Sequence, residues 1–120
     1  MARVKRGVTT HARHKRLLKL TKGHRGTNHS LVKRAHESML HALAYSYRHR
    51  RELKGDMRRL WIIRVGAAAR EHGISYSQFI HGLKLANIDL DRKALSDLAM
   101  NESSAFAEIA EAAKAQLSPT

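Results

Sequence analysis

The sequence predicts an all-α protein, with a basic N-terminal extension and a long helix leading into a small compact C-terminal helical domain. Three observations point that way. Apolar residues recur at spacings of three and four through most of the chain, and no stretch alternates as a half-buried strand would. Charge is also divided so unevenly that only the back half can build a core. Residues 1–60 carry 17 Lys or Arg against 3 Asp or Glu, whereas residues 61–120 carry 6 against 7. All six aromatic residues lie at or after Tyr45. A length of 120 residues suits one domain or a small domain with an appendage. The charge division favours the appendage, with residues 1–58 as the basic extension and long helix and residues 59–118 as the globular part.

The elements follow in order. Residues 1–8, MARVKRGV, read as an extended basic arm. Thr10 is placed to cap a short helix through HARHKRLLKLTK, where Leu17, Leu18 and Leu20 give a thin apolar stripe before GHRG breaks it. Residues 1–30 hold nine Lys or Arg and no acid. So little apolar surface cannot offset the entropy of ordering, and this segment is expected to need a polyanion to fold on. From Ser30 the pattern changes: Leu31, Ala35, Met39, Ala42 and Leu43 have helical spacing, continued by Tyr47, Leu53, Met57, Leu60, Arg64 and Ala68. His72-Gly73 supplies the C-cap. About 43 residues at 1.5 Å each would make a helix of roughly 60 Å. Gly55 and Gly66 each cost about 1 kcal/mol relative to Ala inside it, so bending or fraying is expected near Gly55.

Behind Gly73, Ser75 stands three residues before Gln78, the spacing of a capping box, and Tyr76, Phe79, Ile80 and Leu83 line one face of the helix that follows. ANIDLD ends that helix, and Asp91 can cap the next, with Leu95, Leu98 and Ala99 inward. NES opens a last helix whose inward residues are Phe106, Ile109, Ala110 and Ala113. Trp61 and Val65 are expected to anchor the long helix in this core. For Trp61 the alternative is stacking on a nucleic-acid base.

Within YRHRRELKGDMRRLW, residues 47–61, six cations (Arg48, Arg50, Arg51, Lys54, Arg58 and Arg59) face only Glu52 and Asp56 before the sole tryptophan, and Arg64 follows just beyond. Such density of like charge repels itself and is costly without counterions. Release of those counterions from a nucleic acid is the physical return.

Other chemistries find little support. HESMLH resembles a zinc-protease helix, but His36 and His41 are five residues apart and diverge by about 140° around the axis. His11 and His14 could share a face without a third ligand, so no metal is expected, and histidines bonding phosphate or sugar are the better assignment. GHRG matches the GxxG loop of one RNA-binding fold, yet that fold needs flanking strands, and a joint between helices suits these glycines better. Ser, His and Asp form no nucleophile elbow or triad, so no enzyme activity, cofactor or small-molecule substrate is expected. The absence of Cys fits a reducing compartment. LWII and VGAAA are far short of a membrane span, and the basic N-terminus lacks the apolar stretch of a signal peptide, so a soluble cytoplasmic protein without a membrane partner is expected.

Specific motifs add to this. MARVKRGVTTHARHKRLLKLTKGHRG resembles the amino-terminal arm of the bacterial large-subunit ribosomal protein family L-twenty. KGDMRRLWIIRVGAAAR matches that family's signature in Lys54, Arg58, Leu60, Trp61, Ile62, Arg64, Val65 and Arg70, and GISYSQFIHGLKLANIDLDRKALSDLA is similar to its carboxy-terminal domain. Gly66 replaces the family's usual Asn, Gln78 its Arg or Lys, and His81 its Asn. The resemblance implies an all-helical protein of the ribosome that threads its extension through 23S rRNA, supports early large-subunit assembly beside neighbouring ribosomal proteins and, in some members, represses its own operon's mRNA.

The candidate rRNA contacts form three groups. On the arm and first helix they are Arg3, Lys5, Arg6, Arg13, His14, Lys15, Arg16, Lys19, Lys22 and Arg25, able to follow phosphates without fixed geometry. Along the long helix they are Lys33, Arg34, Arg48, Arg50, Arg51, Lys54, Arg58, Arg59 and Arg64. In the C-terminal domain Ser77, His81 and Lys84 share one helical face, with Arg92 and Lys93 on the next helix, so a rigid core can present donors at set angles. The alternative function is a DNA-binding regulatory protein with a helical reading domain. Against it, the last helices are neutral or acidic, as in SDLAMNESSAFAEIAE.

Overall fold

In the computed structural model, which describes Arg3 and residues 5–117, every regular element is helical. Helix α1 is Gly7–Leu20, a 3-10 turn covers Gly26–His29, and α2 is Val32–Glu71. Helices α3 (Tyr76–Leu85), α4 (Arg92–Asn101) and α5 (Ser103–Leu117) complete the chain. The fold class is all-α, and no strand occurs among the described residues. The chain divides into two units between Arg51 and Glu52, inside α2.

Helix α1 starts earlier than the sequence suggests. Arg6 takes the N-cap position, the Thr9 hydroxyl donates to the Arg6 carbonyl at 2.9 Å, and the Thr10 N–H donates to the same carbonyl at 3.0 Å. Thr10 is therefore interior and caps nothing. At an exposed helix start water can satisfy the first N–H groups, so no side-chain acceptor is needed to fix the boundary. Gly7 and Val8, expected in the extended arm, are helical, while Arg3, Lys5 and Arg6 are not. The front unit buries little: Thr21 and Ala35 are its only fully buried side chains among the described residues. The GHRG segment is a joint, with Gly23 at φ +88 and Gly26 at φ +66, conformations that glycine adopts without penalty. His24 Nδ1 lies 2.7 Å from the Ser38 hydroxyl and ties this joint to α2.

Helix α2 runs for 40 residues, about 60 Å at 1.5 Å per residue. It remains helical through Gly55 and Gly66, so the fraying expected near Gly55 does not occur. Its end is a Schellman arrangement: Gly73, at φ +76, donates to the Arg70 carbonyl at 2.9 Å, and Ile74 donates to Ala69 at 3.1 Å. Asn87, at φ +55, closes α3 the same way, with its N–H on Lys84 and that of Ile88 on Leu83. The capping box at α3 is complete: Ser75 Oγ accepts from the Gln78 N–H at 3.3 Å, and Gln78 Oε1 accepts from the Ser75 N–H at 2.9 Å. Asp91 caps α4 by accepting from the Ala94 N–H at 2.7 Å.

The core of the second unit joins Val65 and Ala69 of α2, Ile74, Phe79 and Leu83 of α3 and its approach, Leu95 of α4, and Phe106, Ala110 and Ala113 of α5. The Phe79 and Phe106 rings lie 5.2 Å apart and tilted. Trp61 is not among them. It is half-buried and lines the surface, because the stripe that α2 gives to this core begins one turn later, at Val65. Gly82 sits at a close crossing of α3 on α5: a Cβ there would come within 2.4 Å of the Ala113 carbonyl oxygen.

Candidate nucleic-acid interface

Most basic residues of the front half sit on helices with too little apolar surface to bury them. All 17 Lys and Arg of residues 1–60 are exposed. Arg3, Lys5 and Arg6 precede α1; Arg13, Lys15, Arg16 and Lys19 lie on it, beside a half-buried His14; Lys22 and Arg25 occupy the turn that follows. Lys33 and Arg34 stand in the first turn of α2, where Arg34 meets Glu37 at 3.6 Å. A cleft of 520 Å³ between α1 and the start of α2 is lined by Arg13, His14, Leu17, Lys33 and His36.

Further along α2, Arg48, Arg50, Arg51, Lys54, Arg58 and Arg59 are exposed. Their immediate partners are local. Arg51 donates to the Tyr47 hydroxyl at 2.6 Å and lies 5.1 Å over that ring, Arg50 donates to Ser46, and Arg59 meets Asp56 at 3.3 Å. Exposed pairs of this kind contribute about 0–1 kcal/mol, so they orient side chains without neutralising the helix. The rings of His41, Tyr45 and His49 form a ladder on successive turns, with centroids 6.2 and 5.9 Å apart. Nothing singled this ladder out in the sequence, although the spacing of four was there to be seen.

In the second unit Ser77, His81 and Lys84 are exposed on α3, as their spacing suggested. Arg92 and Lys93 open α4 and join a different group. They line a cleft of 490 Å³ with Lys54, Arg58 and Trp61 of α2. Arg92 is half-buried, and its Nε donates to the Tyr76 hydroxyl at 3.1 Å. Arg64, also half-buried, lines an adjoining cleft. Among the described residues no helix is long and apolar enough to cross a membrane, and no three potential metal ligands converge.

A polycationic helical front half followed by a nearly neutral helical back half defines a basic, all-helical protein. The model of the family described as ribosomal protein L20 matches residues 3–109. A protein of Dehalococcoides mccartyi named large ribosomal subunit protein bL20 is 58% identical over 115 residues, 96% of this chain and 97% of that protein. Proteins of the same name from Wolbachia sp. subsp. Drosophila simulans and from Thermomicrobium roseum are 56% and 54% identical, each over 117 residues and 98% of this chain, covering 97% and 100% of their own lengths. The chain belongs to the ribosomal protein L20 family, and it is a structural, non-enzymatic protein of the large ribosomal subunit.

Proposed function

We propose that the chain binds 23S rRNA directly and supports early assembly of the large subunit, beside neighbouring ribosomal proteins in the cytoplasmic ribosome. The observation that carries this is the exposure of all 17 cations of residues 1–60 on elements with almost no core of their own. Charge so placed is stabilised by phosphates and by the counterions they release. Residues 1–58 act as the extension that follows phosphates through folded RNA. Residues 59–118 act as the folded part, offering Ser77, His81 and Lys84 from α3, and Arg92 and Lys93 from α4, to RNA shape.

A duplex-DNA reader would instead place a basic helix at a major groove. Here α5 carries Glu108 and Glu111 against the single Lys114, and α4 opposes Arg92 and Lys93 with Asp97, so neither helix has that charge. Competition at about 200 mM salt, where weak non-specific contacts are screened, tests the assignment. Labelled 23S rRNA should stay bound against a hundredfold mass excess of duplex DNA. Displacement by an equal mass of duplex would favour the DNA-binding alternative.

A further inference from the structure

The two clefts beside Trp61 share Trp61, Asp91 and Lys93, and they differ in chemistry. The first, of 460 Å³, adds Arg64, Ala94, Ser96 and Asp97, while the second adds the cations Lys54, Arg58 and Arg92. Ser96 is only 1% exposed, and its hydroxyl has no hydrogen-bond partner. Native proteins satisfy nearly all buried polar side-chain atoms, so an unpartnered hydroxyl on a residue that lines a cleft points to a polar ligand. Trp61, half-buried, is an aromatic wall beside it.

We infer that the first cleft receives one unstacked RNA base, stacked on the Trp61 indole with its polar edge toward Ser96 and the two carboxylates. This deepens the rRNA-binding function proposed above and rests on it. The cleft volume lies within the range of about 300–1,000 Å³ typical of small-ligand sites. An indole offers any base a π face. The adjoining cations suit the phosphates that flank the extruded nucleotide, and the Tyr76 hydroxyl holds the Arg92 side chain in place at 3.1 Å. In the first cleft Arg64 and Lys93 are matched by Asp91 and Asp97, whereas the second has an excess of cations, which a phosphate prefers.

The carboxylates also set base preference. Asp91 Oδ1 accepts from the Ala94 N–H, and Asp97 Oδ1 accepts from Asn101 Nδ2, each at 2.7 Å, which leaves the second oxygen of each carboxylate to accept from a ligand. Bases with an exocyclic amino group, adenine, cytosine and guanine, can donate to them. Uracil has no amino group, and its single donor, N3–H, lies between two carbonyl oxygens that the carboxylates repel.

Trp61 is the sole tryptophan, so its fluorescence in the full-length protein reads the two clefts it lines, and Ser96→Ala singles out the first. The probes are the RNA tetranucleotides of adenosine, cytidine and uridine. Adenosine and cytidine tetranucleotides should quench Trp61 at concentrations about tenfold lower than the uridine one. Ser96→Ala should weaken both about five- to tenfold while the melting temperature holds or rises, since no native hydrogen bond is lost. Asp97→Asn, at an exposed position, should narrow the difference between adenosine and uridine. Equal quenching by all three and no response to Ser96→Ala, with 23S rRNA still bound by the full chain, would overturn the base pocket and leave the rRNA-binding function standing. Failure of the full chain to bind 23S rRNA would remove both.

Discussion

Phe106→Ala should destabilise the second unit by about 3–5 kcal/mol, the cost of deleting a buried ring whose cavity cannot fully close. Phe106 is 1% exposed and contacts Phe79 at 5.2 Å and His72 at 6.0 Å between ring centroids. The neighbours on α5, Ala110 and Ala113, are too small to fill the void. A unit of this size has a total stability of only about 3–10 kcal/mol. Much of the population should therefore be unfolded without denaturant. Urea titration followed by Trp61 fluorescence would show this, with Phe106→Leu retaining most of the stability. A loss below about 1 kcal/mol would mean that Phe106 is not central to the core.

Gly82→Ala should cost about 3 kcal/mol in the same titration, although in an exposed helix the same exchange stabilises by about 1 kcal/mol. The sign reverses because the added Cβ would lie 2.4 Å from the Ala113 carbonyl oxygen and 2.9 Å from its carbonyl carbon. Both are backbone atoms, so relief requires α3 and α5 to separate, loosening Phe79 from Phe106. Gly55→Ala is the control, since nothing lies within 4 Å of a Cβ there. Equal behaviour of the two variants would show that the close crossing of α3 on α5 is not maintained in solution.

The contrast between these glycines marks what the sequence can and cannot disclose. Helix boundaries set by local chemistry were legible: the Ser75–Gln78 box, the Asp91 cap and the Gly73 and Asn87 endings each follow from residues within a few positions of one another. The core faces of α3, α4 and α5 were legible for the same reason, since a helical period identifies a face. Gly82 was not, because its role depends on Ala113, thirty-one residues away and on another helix. Trp61 was misplaced because periodicity says which side of α2 is apolar but not at which turn burial begins; the partners of α2 decide that, and they place it at Val65. The start of α1 escaped because an exposed helix end needs no sequence signal. Of the candidate contacts, exposure of the cations followed from composition alone, whereas the gathering of Lys54, Arg58, Arg92 and Lys93 around Trp61 required the tertiary meeting of α2 with α4.

The proposed rRNA binding rests on the exposed charge of the front half gripping RNA phosphates. Its most direct measurement is the affinity of the full-length protein for 23S rRNA across a salt series. Each phosphate contact contributes about 0.7–0.9 to the slope of log affinity against log salt, so ten contacts from the 17 exposed cations predict a slope near −7 to −9. A slope shallower than about −2 would mean that no more than two or three phosphates are engaged, too few for the front half to grip the RNA.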